Sequence, residues 1–244
     1  ARQLESRVAM LFYVRAAALS PVLLPLGFWT RRTVPKLPEA PGDRQGATGK
    51  GPSLRLLIAG DSSAAGVGAP HQDHALSGKL VALLEPDFSI QWQLHATSGH
   101  KTADTLARLE ELPSESFDVA VTALGVNDAI SMTSLRNWRL QQARLRQLLR
   151  EKFGVRQLIV SGLPPIHAFP ALPGPLRWHF GERATRLDRL LATDIAGEAD
   201  TNYISTRFTS DISMMASDGF HPGPAVYAEW ARRIADNIRR GRVC

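Results

Sequence analysis

The sequence predicts an α/β fold in which helices cover both faces of a mostly parallel, five-stranded sheet. Short, continuous apolar runs recur after residue 53, as expected for strands buried on both faces. Longer segments with helical periodicity separate these runs. The chain has 244 residues, 44% of them hydrophobic, which is enough for one sizeable core. We therefore expect one domain with an appendage at its N-terminus.

Residues 1–34 form an apolar and basic segment in front of that domain. Residues 8–29 are apolar except for Arg15, and Arg31 and Arg32 follow shortly after them. Basic side chains beside an apolar run favour an anionic membrane surface, so we interpret the segment as a membrane anchor. A signal peptide and a helix that packs on its own domain are the alternatives. The basic flank predicts a cytoplasmic domain behind the anchor, with export as the alternative.

Residues 35–53 are rich in Pro, Gly and polar side chains and are predicted to be a linker, which assigns residues 54–244 to the domain. The net charge is +6, and the first fifty residues hold eight basic and three acidic side chains, or +5, which leaves +1 for the rest. No RNA- or DNA-binding signature accompanies this charge, so we expect no nucleic-acid partner. The single cysteine, Cys244, excludes an internal disulfide.

The elements of the domain alternate between strand and helix. Apolar runs predict strands at residues 54–59, 90–95, 119–124 and 157–161, with a weaker one near Tyr203. Amphipathic patterns predict helices at residues 76–84, 102–112, 135–152, 176–195 and 225–240. Sheets of this kind place ligand sites beyond the carboxyl ends of their strands. The residues directly after each strand are therefore the candidates for function.

The first predicted strand is followed by a turn that contains Ser62. A serine on a tight strand-to-helix turn is exposed at the sheet edge, and the N-terminus of the next helix supplies unpaired N–H groups for a developing oxyanion. Helix capping by Asp61, Ser62 or Ser63 is the alternative. Ala64 stands where the Gly-x-Ser-x-Gly elbow requires its second glycine, so the common α/β-hydrolase pattern is not met.

Two further strand ends carry candidate hydrogen-bond donors. Gly99 follows the second strand, and a glycine there lets the backbone approach a ligand closely. Asn127 follows the third strand, and its side-chain amide can donate to an oxyanion without carrying charge. Taken singly, both segments are equally compatible with ordinary turns.

A loop near the C-terminus contains Asp218 and His221, separated by two residues. A serine hydroxyl is a weak nucleophile unless a base takes its proton, and the base needs a carboxylate to set its tautomer. One segment can supply both groups. His71 and His74 have a spacing that suits a metal, but no third ligand accompanies them, so we expect no metal site.

These four segments occur in the order serine, glycine, asparagine, and then aspartate with histidine. The whole set resembles the SGNH hydrolase family, also called GDSL-type esterases and lipases, over about residues 54–240. Ser63 stands where the first block of the family usually has leucine. The matching residues are Gly60-Asp61-Ser62, Gly99, Asn127 and Asp218-x-x-His221.

The resemblance implies a flavodoxin-like, three-layer α/β/α sandwich and an acyl transfer in two steps. It implies a triad of Ser62, His221 and Asp218, and an acyl-enzyme intermediate on Ser62. The oxyanion hole would consist of the Ser62 and Gly99 N–H groups and the Asn127 side chain. Neither a metal nor an organic cofactor is expected.

The substrate class is predicted from one further segment. Residues 164–178 follow the fourth strand, and their apolar and aromatic side chains predict an acyl pocket, with a rigid Pro-rich loop over the core as the alternative. Together with the anchor, this predicts lipid-like or short to medium acyl esters as substrates. A carbohydrate O-acetylesterase or acyltransferase on the same residues, and a non-catalytic membrane-tethered binding domain, are the alternatives.

Overall fold

A six-stranded sheet lies at the centre of the fold. The computed structural model describes residues 2–208 and 212–242, so Cys244 lies outside the described residues. The strands are β1 (Gln45–Thr48), β2 (Ser53–Gly60), β3 (Ser89–Ala96), β4 (Val119–Ala123), β5 (Gln157–Ser161) and β6 (Thr201–Ile204). Their order across the sheet is β1-β3-β2-β4-β5-β6, and β1 alone runs antiparallel to its neighbour.

The predicted α/β class and the mostly parallel sheet are confirmed, but the predicted number of five strands is wrong. The sixth strand, β1, lies within residues 35–53, which the composition predicted to be a linker. β1 has the sequence QGAT and is partly exposed along its length. An edge strand of this kind needs no continuous apolar run, so the sequence carries no signal for it.

Helices cover both faces of the sheet. On one face, α2 and α7 pack over Leu54, Leu56 and Ile58 of β2; on the other, the layer of α3, α5 and α6 covers residues such as Leu57 and Val160. Alternate β2 side chains thus enter opposite cores, which confirms a three-layer sandwich. The helices are α1 (Arg2–Thr33), α2 (Leu76–Leu84), α3 (Thr102–Glu111), α4 (Val126–Ile130), α5 (Leu135–Glu151), α6 (Gly174–Ile195) and α7 (Pro224–Arg242).

The N-terminal segment is one long helix, α1, which contacts α6. Leu23 is buried against the core, and the Arg15 guanidinium lies 4.2 Å from the centre of the Trp178 ring. Other apolar side chains of α1, including Leu24 and Phe28, are exposed. Among the described residues, no helix combines the length and the apolar character that crossing a membrane requires.

Candidate active site

Ser62 lies on the turn that follows β2, at the carboxyl edge of the sheet. The turn is closed by hydrogen bonds from Val67 N to Ser62 O (3.0 Å) and from Ala65 N to Asp61 O (2.9 Å). The backbone at Gly60, where the turn begins, lies close to the end of β4. A Cβ on Gly60 would be only 2.5 Å from the Ala123 carbonyl oxygen, so this position requires glycine. The expected helix does not follow directly: residues 61–69 form turns, and α2 begins only at Leu76.

A histidine and a carboxylate stand in line with Ser62. His221 Nε2 is 2.9 Å from Ser62 Oγ, and His221 Nδ1 is 2.6 Å from Asp218 Oδ2. The other oxygen, Asp218 Oδ1, accepts hydrogen bonds from the backbone N–H groups of Phe220 (2.9 Å) and His221 (3.0 Å). The structure therefore brings together the three residues that the sequence singled out as nucleophile, base and orienting carboxylate.

The buried Asp218 carboxylate is held in its ionised form. Burial alone would raise the pKa of Asp218, but the hydrogen bonds from the His221 ring and from the His221 and Phe220 N–H groups outweigh it. The net effect is a pKa below the ordinary value of 3.8. An ionised Asp218 accepts a hydrogen bond from His221 Nδ1–H, which leaves Nε2 unprotonated and able to accept a proton from Ser62.

Candidate oxyanion donors lie directly after β3 and β4, the two strands that neighbour β2. Gly99 follows β3 with φ +84°, and Asn127 lies in α4 directly after β4. The Asn127 amide donates one hydrogen bond to the His100 carbonyl oxygen (2.9 Å), which ties the two loops together. Within the described part of the chain, neither the Ser62 N–H nor the Gly99 N–H has a hydrogen-bond acceptor. Both groups are thus available to a bound carbonyl oxygen.

Asn127 lies in a short helix, α4, that the sequence pattern does not predict. α4 has five residues, too few for a helical periodicity to be visible in the sequence. Its cap, Gly125, has φ +125°, a value that favours glycine, and Leu163 packs against it. Asp128 in the same helix accepts hydrogen bonds from Thr102 N (3.0 Å) and Thr102 Oγ1 (2.9 Å), which anchors the start of α3.

An apolar cavity of about 90 Å³ opens beside Ser62 and His221. From residues 164–178, four side chains line it; Trp178 instead contacts Arg15 of α1. The predicted pocket segment therefore contributes only its first part. Phe208, Phe220 and Trp230 also line the cavity and were not predicted. The four lining residues of the predicted segment are Pro164, Pro165, Ala168 and Phe169.

Asp61 is a buried carboxyl group beside the nucleophile candidate. It accepts hydrogen bonds from Ser63 N (3.0 Å) and Ser63 Oγ (2.8 Å). Burial nevertheless dominates and raises the pKa of Asp61 from 3.8 to about 6. The carboxyl group is therefore harder to ionise in the folded chain than in the unfolded one.

Asp61→Asn is expected to remove a pH-dependent part of the stability. Because the folded pKa is about 6 and the ordinary value is 3.8, the folded state binds more protons between these two pH values. The free energy of unfolding then falls as pH rises through this window, by on the order of 3 kcal/mol. Urea unfolding of wild type and variant at pH 4, 5, 6 and 7 measures this directly. Parallel pH profiles of the two proteins would contradict it.

In the part of the chain that the structure describes, no group of three or more His, Cys, Asp or Glu side chains is placed so that it could hold a metal ion. His71 Nδ1 lies 3.1 Å from the Asp73 carboxylate, and its side chain caps the short 3₁₀ helix Gln72–His74.

A flavodoxin-like sandwich that presents a serine, a histidine and a carboxylate at the carboxyl edge of its sheet defines the class of SGNH-type ester hydrolases. A family model described as the GDSL-like lipase/acylhydrolase family matches residues 58–229, and the chain belongs to that family. No curated protein sequence matches the chain. The family membership makes the protein an ester hydrolase.

Solved structures of several esterases share the fold. A lipolytic protein of the G-D-S-L family from Veillonella parvula is 15% identical, with a TM-score of 0.61, over 76% of this chain and 98% of its own. A carbohydrate acetylesterase family member from Sinorhizobium meliloti is 18% identical (TM-score 0.56; 77% and 98% covered). An acetylxylan esterase from Geobacillus stearothermophilus is 21% identical (TM-score 0.54; 77% and 95% covered).

Proposed function

We propose that this GDSL-family hydrolase cleaves carboxylic esters of short to medium acyl chains through Ser62, His221 and Asp218. The observation that carries the proposal is the continuous line of short contacts from Ser62 Oγ through the His221 ring to Asp218. A nucleophile within hydrogen-bond reach of a base, with the base oriented by a third group, is the arrangement that covalent acyl transfer requires.

In the first half of the reaction, His221 Nε2 takes the proton of Ser62 while Oγ attacks the carbonyl carbon of the ester. The carbonyl oxygen becomes an oxyanion, which the Ser62 and Gly99 N–H groups and the Asn127 amide stabilise. His221 then gives its proton to the leaving alcohol, and the acyl group remains on Ser62. Asp218 stabilises the imidazolium while it carries the extra proton.

In the second half, a water molecule takes the place of the alcohol. His221 accepts a proton from the water, whose oxygen attacks the acyl carbon of the Ser62 ester. The same donors stabilise the second oxyanion. His221 returns the proton to Ser62 Oγ, and the free acid leaves the site.

The cavity beside Ser62 supports an apolar acyl group as the substrate part that the site holds. Its walls are mostly aliphatic and aromatic side chains, with Phe169 and Phe220 in edge-to-face contact at a ring distance of 5.1 Å. Such walls bind alkyl chains by removing apolar surface from water. The small volume of about 90 Å³ favours short and medium chains over long ones.

The test is hydrolysis of p-nitrophenyl esters from acetate to palmitate by the full chain. We expect kcat/KM to be highest for short to medium chains and to fall for palmitate. Ala168→Phe would fill the cavity and should reduce turnover of medium-chain esters more than of acetate, whereas Ala225→Phe, on the exposed first turn of α7, should not change the profile. Turnover of acetylated sugars without turnover of any simple acyl ester would overturn this substrate assignment.

A carbohydrate O-acetylesterase or acyltransferase is the second candidate, since solved structures with this fold include an acetylxylan esterase and a carbohydrate acetylesterase family member. Product analysis with water alone and with a sugar acceptor separates hydrolysis from transfer. Formation of an acylated sugar at the expense of free acid would favour transfer.

We also propose that α1 holds the enzyme on an anionic membrane surface, with the catalytic domain on the cytoplasmic side. Exposed apolar side chains, among them Leu24, Phe28 and Trp29, stand beside the basic Arg31 and Arg32. This combination suits insertion at a lipid interface with attraction to anionic head groups. The full chain should sediment with phosphatidylglycerol vesicles, and Phe28→Ser with Trp29→Ser should weaken this. Equal sedimentation of wild type and variant would contradict the proposal.

A further inference from the structure

The segment between α1 and β1 crosses the catalytic edge of the sheet, although it lies outside the residues that the family model matches. Its central residue, Ala40, is buried against the nucleophile turn, with Ala40 N donating to Ala65 O at 3.3 Å. The Gln72 amide donates to both the Ala40 and the Ala65 carbonyl oxygens, each at 3.0 Å. One side of this segment is therefore fastened beside Ser62.

The other side of the segment holds the loop after β3. Glu39 Oε1 accepts a hydrogen bond from Ser98 N (2.6 Å), and Glu39 Oε2 accepts one from Arg44 Nη1 (2.8 Å). The Arg44 guanidinium also donates to the Ala96 carbonyl oxygen, and the Arg44 carbonyl accepts from Leu94 N at 2.7 Å. We call this pair of residues, Glu39 and Arg44, the clasp.

The loop that the clasp holds is otherwise fixed by hydrogen bonds on either side of Gly99: Thr97 N donates to Gly60 O (3.3 Å), and His100 O accepts from the Asn127 amide (2.9 Å). Gly99 is exposed, and no described atom lies within 4 Å of the place where its Cβ would stand. Its φ of +84° belongs to a region where glycine has wide freedom. Hydrogen bonds to the backbone of neighbouring residues, rather than packing, must therefore set the direction of the Gly99 N–H.

We propose that Glu39 is a positioning residue, which orients the Gly99 N–H toward the oxyanion by holding Ser98 in place. This inference rests on the proposed function, because it assigns to Gly99 the role of oxyanion donor. The Arg44 side chain neutralises the Glu39 carboxylate, so that the negative charge does not oppose the developing oxyanion. Loss of an oxyanion donor destabilises the transition state and leaves the energy of the bound substrate largely unchanged.

The Glu39 carboxylate is ionised at neutral pH. Burial by itself would raise the pKa of Glu39, but the Ser98 N–H and the Arg44 guanidinium lower it below 4.5. The clasp is thus a charge-assisted contact under the conditions of an assay.

The experiment compares Glu39→Ala, Glu39→Gln and Glu39→Asp in the full chain with a short-chain p-nitrophenyl ester. Glu39→Ala removes the acceptor for Ser98 N and should lower kcat about 10- to 100-fold, with KM changed by less than about threefold. Glu39→Gln keeps an amide oxygen at the same reach and should restore most of kcat. Glu39→Asp keeps the charge, but its side chain is one methylene shorter and its carboxylate is farther from Ser98 N. Its kcat should lie between those of wild type and Glu39→Ala.

A boronic acid that mimics the tetrahedral intermediate supplies a readout that a purely structural role would not change. Its inhibition constant should rise by the same factor as kcat falls, because the boronate oxygen uses the same donors. Asp87→Ala is the matched control: it removes another partly exposed ion pair, with Arg239 at 2.8 Å, two residues before β3. This control should leave kcat and the inhibition constant unchanged.

The outcomes separate this inference from the proposed function. A wild type without esterase activity would overturn the proposed function and this inference with it. An active wild type combined with a folded Glu39→Ala of equal kcat would overturn only the role of Glu39. If Glu39→Ala does not fold, Glu39→Asp takes its place, and a wild-type kcat in that variant overturns the inference.

Discussion

Replacing Ser62 or His221 with alanine is expected to abolish ester hydrolysis, with a loss in kcat of about 10⁴ to 10⁶ for each. Ser62 Oγ is the atom that would form the acyl bond, and His221 Nε2, 2.9 Å away, is the group that would take its proton. Without the histidine the hydroxyl stays a poor nucleophile, and without the hydroxyl the histidine has nothing to activate. Initial rates with p-nitrophenyl butyrate measure both losses.

Two controls sharpen this result. The double variant should be no slower than either single variant, because residues that act as one unit lose their effect together. His74→Ala, which changes an exposed histidine of the Gln72–His74 3₁₀ helix, should keep the wild-type rate. A fluorophosphonate should label the wild type and not Ser62→Ala. If a folded Ser62→Ala keeps its activity, the nucleophile assignment is wrong; an unlabelled, inactive wild type would favour the binding-domain alternative.

Asp218→Asn is expected to lower kcat by about 10⁴ while the fold is retained. The asparagine oxygen can still accept from the Phe220 and His221 N–H groups, as Asp218 Oδ1 does now. Its NH₂ group would replace the oxygen that faces His221 Nδ1 and would donate to that nitrogen. The histidine would then carry its proton on Nε2, where it cannot accept one from Ser62.

Comparing Asp218→Asn with Asp218→Ala separates the effect of Asp218 on the tautomer of His221 from its effect on the structure of the loop. Asp218→Ala also removes the acceptor for two backbone N–H groups, so it should lower the melting temperature, which Asp218→Asn should largely preserve. Asp236→Asn, on the surface of α7, is a matched control for the change of charge and should keep both activity and stability. A kcat of Asp218→Asn within tenfold of wild type would rule out Asp218 as the orienting group.

The α/β class was predictable from the sequence because its signal is local. Strands buried on both faces are nearly continuous apolar runs, as β2 is from Leu56 to Ala59 and β4 is apart from Thr122. The predicted strands agree closely with β2 to β6. β1 escaped prediction because four half-exposed edge residues leave no apolar pattern, and α4 because five residues are too few for helical periodicity.

The candidate site residues were selected from the sequence because each stands directly after a strand or within one short loop, and the roles assigned to them stay predictions. Asp218 and His221 are three positions apart, so their contact depends on a local turn. The cavity walls were predictable only in part. Phe169 and Ala168 belong to the segment after β5, but Phe208 and Trp230 come from separate regions whose sequence shows no sign of a pocket.

The sequence by itself therefore determined the fold class, the sheet edge at which the candidate site lies, and the residue types available there. Only the tertiary structure decided which of these residues contact one another. Ser62 and His221 are 159 positions apart, and their 2.9 Å contact arises from the packing of α7 and its preceding loop onto the nucleophile turn. The same holds for the clasp, because Glu39 and Ser98 are 59 positions apart. Periodicity and turn chemistry act over a few residues, whereas these distances result from how the whole core packs.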